Sequence, residues 1–150
     1  MITLKPVRES EFDCLREAFA LRLSESNMSE FGGVDDLLVK LRQGYARQCL
    51  GAYVDNVEKP QHVLVMGHFP GFLTQGSFAS IILVYSIPEA RGDTSAVDVM
   101  IATAENYARL NGAEYLLGTS WVYRGSADID ALWKFYDFEP RERVFIKNLT

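Results

Sequence analysis

Residues 88–96 read Pro-Glu-Ala-Arg-Gly-Asp-Thr-Ser-Ala, and this stretch has the clearest capacity for chemistry in the sequence. It lies between an almost continuously apolar run, residues 78–87, and a long amphipathic pattern, residues 94–110. The run reads as a strand buried on both faces and the pattern as a helix. The first N–H groups of a helix have no partner inside it, and the helix dipole adds partial positive charge, so such a junction is an anion site. Pro88 ends the strand, and Gly92 leaves room for a phosphate to reach the backbone. Ala96 is small where a ligand would press on the helix, and Arg91 is the residue type that pairs with phosphate. An ordinary strand-to-helix turn with Thr94 as its N-cap would use the same residues.

Other reactive side chains are sparse. His62 and His68 stand six apart in a strand-like run, and Cys14 and Cys49 are near neither, so no zinc-ligand cluster forms and no metal is expected. The 78–87 strand contains no Glu or Asp, so it offers no general base. Ser80 and Ser120 would act only through water and read as satisfied strand hydroxyls. Glu25, Glu30 and Asp35 flank a polar loop at 24–33, where they would draw a cation or simply face solvent.

Residues 2–5 alternate apolar and polar and form a short strand. Residues 9–23 carry Phe12, Leu15, Phe19 and Leu23 at helical spacing. Residues 35–47 form a second helix with Leu37, Leu38, Leu41 and Tyr45 on one face. Strands at 49–54 and 62–69 flank a polar turn and pair as a hairpin. After the 78–87 strand comes the 94–110 helix, which Asn111-Gly112 stops. A strand at 115–121 follows, then a helix opened by Ser126 with Ile129, Leu132, Trp133 and Tyr136 on its apolar stripe, then a strand at 143–149.

The order is β-α-α-β-β-β-α-β-α-β over one domain, residues 1–150. It implies an α/β (α+β) fold with a mixed sheet, helices on both faces, and a parallel pair joined by the 94–110 helix.

The 150 residues suit one domain, 48% are apolar and 23% are charged, which gives enough core and excludes a disordered chain. A net charge of −5 argues against a general nucleic-acid binder. It is compatible with a cationic substrate such as an amine, although on charge alone plain solubility is the better explanation. Two cysteines and no secretory pattern point to a reduced, cytoplasmic protein. No apolar stretch approaches the roughly 20 residues of a membrane span.

Arg91-Gly92-Asp93-Thr94-Ser95-Ala96, preceded by Ser86-Ile87-Pro88, resembles the acyl-CoA loop of the GNAT superfamily of N-acyltransferases. That family carries [Gln/Arg]-x-x-Gly-x-[Gly/Ala] after its fourth strand. Arg91, Gly92 and Ala96 fit the pattern. Thr94 replaces a usual Gly, and Asp93 adds a carboxylate that must turn away from a diphosphate. Leu132-Trp133-Lys134-Phe135-Tyr136-Asp137-Phe138 falls in register with the family's Leu-Tyr-x-x-x-Gly-Phe helix, with Ser126 at a usual Asn position. The element order agrees over nearly the whole chain, and the Trp121-Val122-Tyr123 stretch is similar to small GNAT proteins of tailed bacteriophages.

The resemblance implies an N-acetyltransferase that uses acetyl-CoA, without a metal, to acetylate a primary amine of a small molecule or a protein by direct attack. It implies cofactor contacts from the backbone of Val84, Tyr85 and Ser86, from residues Arg91, Gly92, Asp93, Thr94, Ser95 and Ala96, and from Ser126. The family's thiolate-protonating Tyr corresponds to Trp133, whose indole does not titrate. Trp133 therefore reads as a packing residue; Tyr123 and Tyr136 are the nearby phenols that could replace it as proton donor, and Tyr123 is preferred because Tyr136 shares the apolar stripe. The alternative is a GNAT scaffold that binds CoA weakly and serves as a protein-interaction module, to which Asp93, Thr94 and Trp133 all lend weight. The protein is expected as a monomer, or as a homodimer joined through the 144–149 edge.

Overall fold

The computed structural model describes residues 2–26, 32–70, 76–118, 126–140, 147 and 149. The chain forms two compact units, Met1–Thr119 and Ser120–Thr150. The first contains β1 (Lys5–Pro6), a 3₁₀ segment (Glu9–Leu15), α1 (Arg16–Ser26), α2 (Val34–Ala46), β2 (Leu50–Val54), β3 (His62–Pro70) and β4 (Ser77–Ser86). A single 3₁₀ turn (Pro88–Ala90), α3 (Thr94–Leu110) and β5 (Tyr115–Gly118) complete it. The second unit contains α4 (Ser126–Phe135).

The five strands form one sheet in the order β1-β2-β3-β4-β5. All neighbours are antiparallel except β4 and β5, which run parallel, as the crossover through α3 requires. Strand alternation in β3 builds two cores. Val63 and Val65 join Phe12, Leu15, Ala18, Phe19, Leu38 and Leu41 from the 3₁₀ segment, α1 and α2. Leu64 and Met66, also buried, point to the opposite face, where α3 packs with Ala96, Met100, Ile101 and Ala104. The expected mixed sheet with helices on both faces is therefore present.

Several boundaries differ from the sequence reading. The first helical stretch begins as a 3₁₀ segment, in which Phe12 and Leu15, three apart, eclipse on one buried face. Its α-helical part continues to Ser26, into the region read as a loop. Three helices end in the same Schellman geometry. Cys49 N–H bonds Gly44 O, Ala113 N–H bonds Ala108 O and Phe138 N–H bonds Trp133 O, at 2.9, 2.9 and 3.0 Å. Each helix is closed by a residue in the left-handed region, Gln48, Gly112 or Asp137. That geometry explains why Gly is favoured at the Asp137 position.

In the second unit Trp133 is buried against Phe138, ring centroids 5.1 Å apart, as the apolar stripe implies. Its indole N–H has no hydrogen-bond partner among the described residues. The strand expected at 143–149, and with it the proposed dimer edge, falls almost wholly outside the described residues. So do Ser120, Tyr123 and Glu30. No helix among the described residues is long and apolar enough to cross a membrane.

Candidate active site

β4 pairs with β3 along its whole length, but the register shifts between Val65 and Met66: Val65 faces Leu83 and Met66 faces Ile81. Ile82 is thus the extra residue of a β-bulge, a feature that bends a strand and frees its edge. The parallel ladder with β5 spans Phe78 to Ile81 and stops at Ile81–Gly118. From the bulge onward, β4 has no strand partner on that side among the described residues.

The antiparallel register decides which backbone groups face this open edge. Ile87 N–H donates to Gln61 O at 3.0 Å, which makes 61–87 a hydrogen-bonded pair. By alternation Tyr85 exchanges bonds with Val63, while Val84 and Ser86 turn their N–H and C=O groups outward. The sequence reading placed Val84, Tyr85 and Ser86 together; the pleat separates Tyr85 from the other two. Its backbone faces β3, and its ring lies in the core under α1.

Beyond β4 the chain makes the Pro88–Ala90 turn and reaches Gly92, whose φ of 93° lies in the left-handed region. A Cβ there would meet no atom within 4 Å. Glycine is required for its backbone angle, in addition to the room it leaves. α3 then starts at Thr94, and its N-cap is Asp93, not Thr94. Asp93 Oδ1 accepts from Ser95 N–H at 3.0 Å and from Ser95 Oγ–H at 2.5 Å. These bonds, led by the Ser95 hydroxyl, hold its carboxyl below the usual carboxylate range. The carboxylate thus caps the helix start while it stays exposed to solvent. Among the described residues, the N–H groups of Gly92, Asp93 and Thr94 meet no acceptor. Ala96 is fully buried, and its N–H donates to Asp93 O at 3.2 Å.

Arg91 does not hang free. Its Nη2 pairs with Glu25 Oε2 at 2.5 Å, its Nε donates to Ser86 O at 3.1 Å, and its guanidinium lies 5.4 Å from the centre of the Tyr85 ring. Glu25 Oε1 also accepts the Tyr85 hydroxyl at 3.0 Å. Burial, then the Glu25 carboxylate, pushes the Tyr85 phenol up to about 12. The sequence pattern puts Glu25 on a solvated loop face; the three further residues of α1, up to Ser26, bring it to the junction. Asp35 is likewise engaged, with Arg16 at 2.7 Å. Opposite Ser86, His62 is buried and its Nδ1 lies 2.7 Å from Ser86 Oγ, while its N–H donates to Asp55 Oδ1. Sequence spacing carries no signal for the Glu25–Arg91 pair, whose members are 66 residues apart.

Ser126 begins α4 as expected, in the second unit. No group of three or more His, Cys, Asp or Glu poised for a metal ion occurs among the described residues.

The fold is that of the GNAT acetyltransferases. An aminoglycoside 6'-N-acetyltransferase, AAC(6')-Iy, solved with a CoA bisubstrate analogue, superposes with a TM-score of 0.75 at 12% identity, covering 100% of this chain and 99% of that one. The ribosomal-protein-alanine N-acetyltransferase of Brucella melitensis biovar Abortus gives 0.76 at 11% identity, with 100% of each chain covered. A predicted acetyltransferase from Clostridium acetobutylicum, solved with acetyl-CoA, gives 0.74 at 16%, covering 99% of this chain and 97% of that one. At such identities the likeness is one of fold. No family model and no curated protein matches the sequence.

Proposed function

We propose that this chain is an N-acetyltransferase that moves an acetyl group from acetyl-CoA to a primary amine of a small molecule or a protein. The observation that carries the reading is the open edge of β4 beyond the Ile82 bulge, leading directly into the Arg91–Ala96 junction. The solved structures with this fold that carry CoA, acetyl-CoA or a CoA analogue add support.

In this reading Val84 and Ser86 offer backbone groups to the pantetheine arm. Ser86 O is already engaged by Arg91, so its N–H and both groups of Val84 remain. The unpaired N–H groups of Gly92, Asp93 and Thr94, with Arg91, receive the diphosphate. The amine nitrogen attacks the acetyl carbonyl carbon, and a backbone N–H beside the bulge, near Val84, stabilises the oxyanion. The C–N bond forms, the C–S bond breaks, and the ammonium proton leaves to water. A thiol pKa near 8.5 makes the thiolate a fair leaving group, so a dedicated acid adds help only on the order of 2 kcal/mol. Tyr123 is the donor we assign to that thiolate, and Ser126 a further contact to the cofactor. The amine acceptor fits a protein that works without metal, nucleic acid or membrane, in a reducing cytoplasm where Cys14 and Cys49 stay free.

The test is an acceptor screen with acetyl-CoA and mass detection, covering aminoglycosides, polyamines, arylalkylamines and peptide N-termini. A product heavier by one acetyl group, with CoA released, supports the enzyme. Tyr123→Phe should lower kcat while leaving CoA affinity intact. An unchanged kcat would remove Tyr123 from the mechanism. CoA binding without turnover on any acceptor would favour the scaffold reading.

A further inference from the structure

Glu25 lies outside the strand and loop that the cofactor reading uses, yet its carboxylate ties them together. Through Oε1 it receives the hydroxyl of Tyr85, and through Oε2 it pairs with Arg91. Arg91 is thereby fixed at three points: Glu25, Ser86 O and the face of the Tyr85 ring. A guanidinium has five N–H donors. These contacts use Nε–H and one N–H of Nη2, which leaves three for a ligand. Asp93 is different in kind, because it occupies the single N–H of Ser95. Glu25 therefore orients the cation without exhausting it.

An arginine that reaches a phosphate from a mobile state must first lose its rotamer freedom, and that loss subtracts from affinity. We propose that Glu25 is a positioning residue for acyl-CoA: it orders Arg91 before the diphosphate arrives and anchors the end of α1 to the cofactor loop. This inference rests on the acetyl-CoA reading of that loop.

The experiment is titration calorimetry on the full chain with two probes. CoA carries the diphosphate; acetyl-pantetheine does not. Glu25→Ala should weaken CoA about fivefold, within the range of one partly exposed ion pair. It should leave acetyl-pantetheine affinity unchanged. Because Glu25 acts through Arg91, the Glu25→Ala/Arg91→Ala double variant should bind CoA no more weakly than Arg91→Ala alone. Glu25→Gln keeps the shape and one acceptor and should fall between wild type and Glu25→Ala; it also replaces Glu25→Ala if circular dichroism shows that variant unfolded. Unchanged or tighter CoA binding in the Glu25 variants, or additive losses in the double variant, would overturn the inference alone. Absence of CoA binding by the wild type would overturn the cofactor reading, and this inference with it.

Discussion

Gly92 and Gly112 form a matched pair that separates backbone strain from ligand contact. Both have positive φ, 93° and 70°, and in both a Cβ would meet no atom within 4 Å. Replacing either by Ala therefore creates no clash; the cost is conformational. Holding an L-residue in the left-handed region costs about 1–2 kcal/mol. Restricting the unfolded chain returns roughly 0.4–1 kcal/mol. The net loss should be about 1 kcal/mol for each variant, or ~2–4 °C in Tm for a chain of this size. Denaturant titration and thermal melts measure it. The two variants should part in CoA affinity. Gly112 closes the far end of α3, so Gly112→Ala should bind CoA as wild type does. Gly92→Ala shifts the N–H groups that open the helix and should bind at least several-fold more weakly. Equal weakening in both would mean that lost stability, not the loop, governs binding. No stability loss in either would refute the strain argument itself.

Asp93→Asn keeps a good N-cap but removes the charge that sits on Ser95 N–H, so it should tighten CoA binding while the melting temperature holds; calorimetry showing weaker binding would count against a diphosphate at this helix start. Tyr85 holds its proton up to about 12 in the folded state, against an ordinary phenol near 10. Its raised value favours the folded state fully below pH ~10 and loses that effect as pH rises toward the folded value. The alkaline phenolate absorbance step assignable to Tyr85 should vanish in Tyr85→Phe, and stability should decline less steeply over that window. Trp133→Phe removes a buried indole N–H that has no partner among the described residues, so the cost should be limited to lost packing, below the 3–5 kcal/mol of an aromatic-to-Ala change, with an unshifted pH–rate profile. A marked shift in that profile would give Trp133 a part in proton transfer.

The strand-to-helix junction was legible because local signals agree there: an apolar run, a proline, a glycine and an amphipathic helix whose limits at Thr94 and Leu110 match the structure. The β5 start at Tyr115 and the β2–β3 hairpin follow from equally local patterns. What the sequence hid is long-range or conformational. The Ile82 bulge shows in register and not in composition, since every residue from Ile81 to Val84 is apolar. The role of Tyr85 depended on which way the pleat turned, and a single bond between Ile87 and Gln61 decides it. Asp93 looked like an intruder in a phosphate loop, yet its cap on Ser95 is a local device that Asp at a helix start commonly provides. Glu25 meets Arg91 only because α1 extends past its last apolar position, Leu23, where the stripe gave no reason to continue.

Acetyl-CoA is proposed to bind along the open edge of β4 and at the Arg91–Ala96 junction. Titration calorimetry of acetyl-CoA into the full chain tests it most directly, with Gly92→Ala and Arg91→Ala as companions. Saturable one-to-one binding in the micromolar range, about −8 kcal/mol, is expected, weakened in both variants. No heat at millimolar acetyl-CoA, or wild-type affinity in both folded variants, would contradict it.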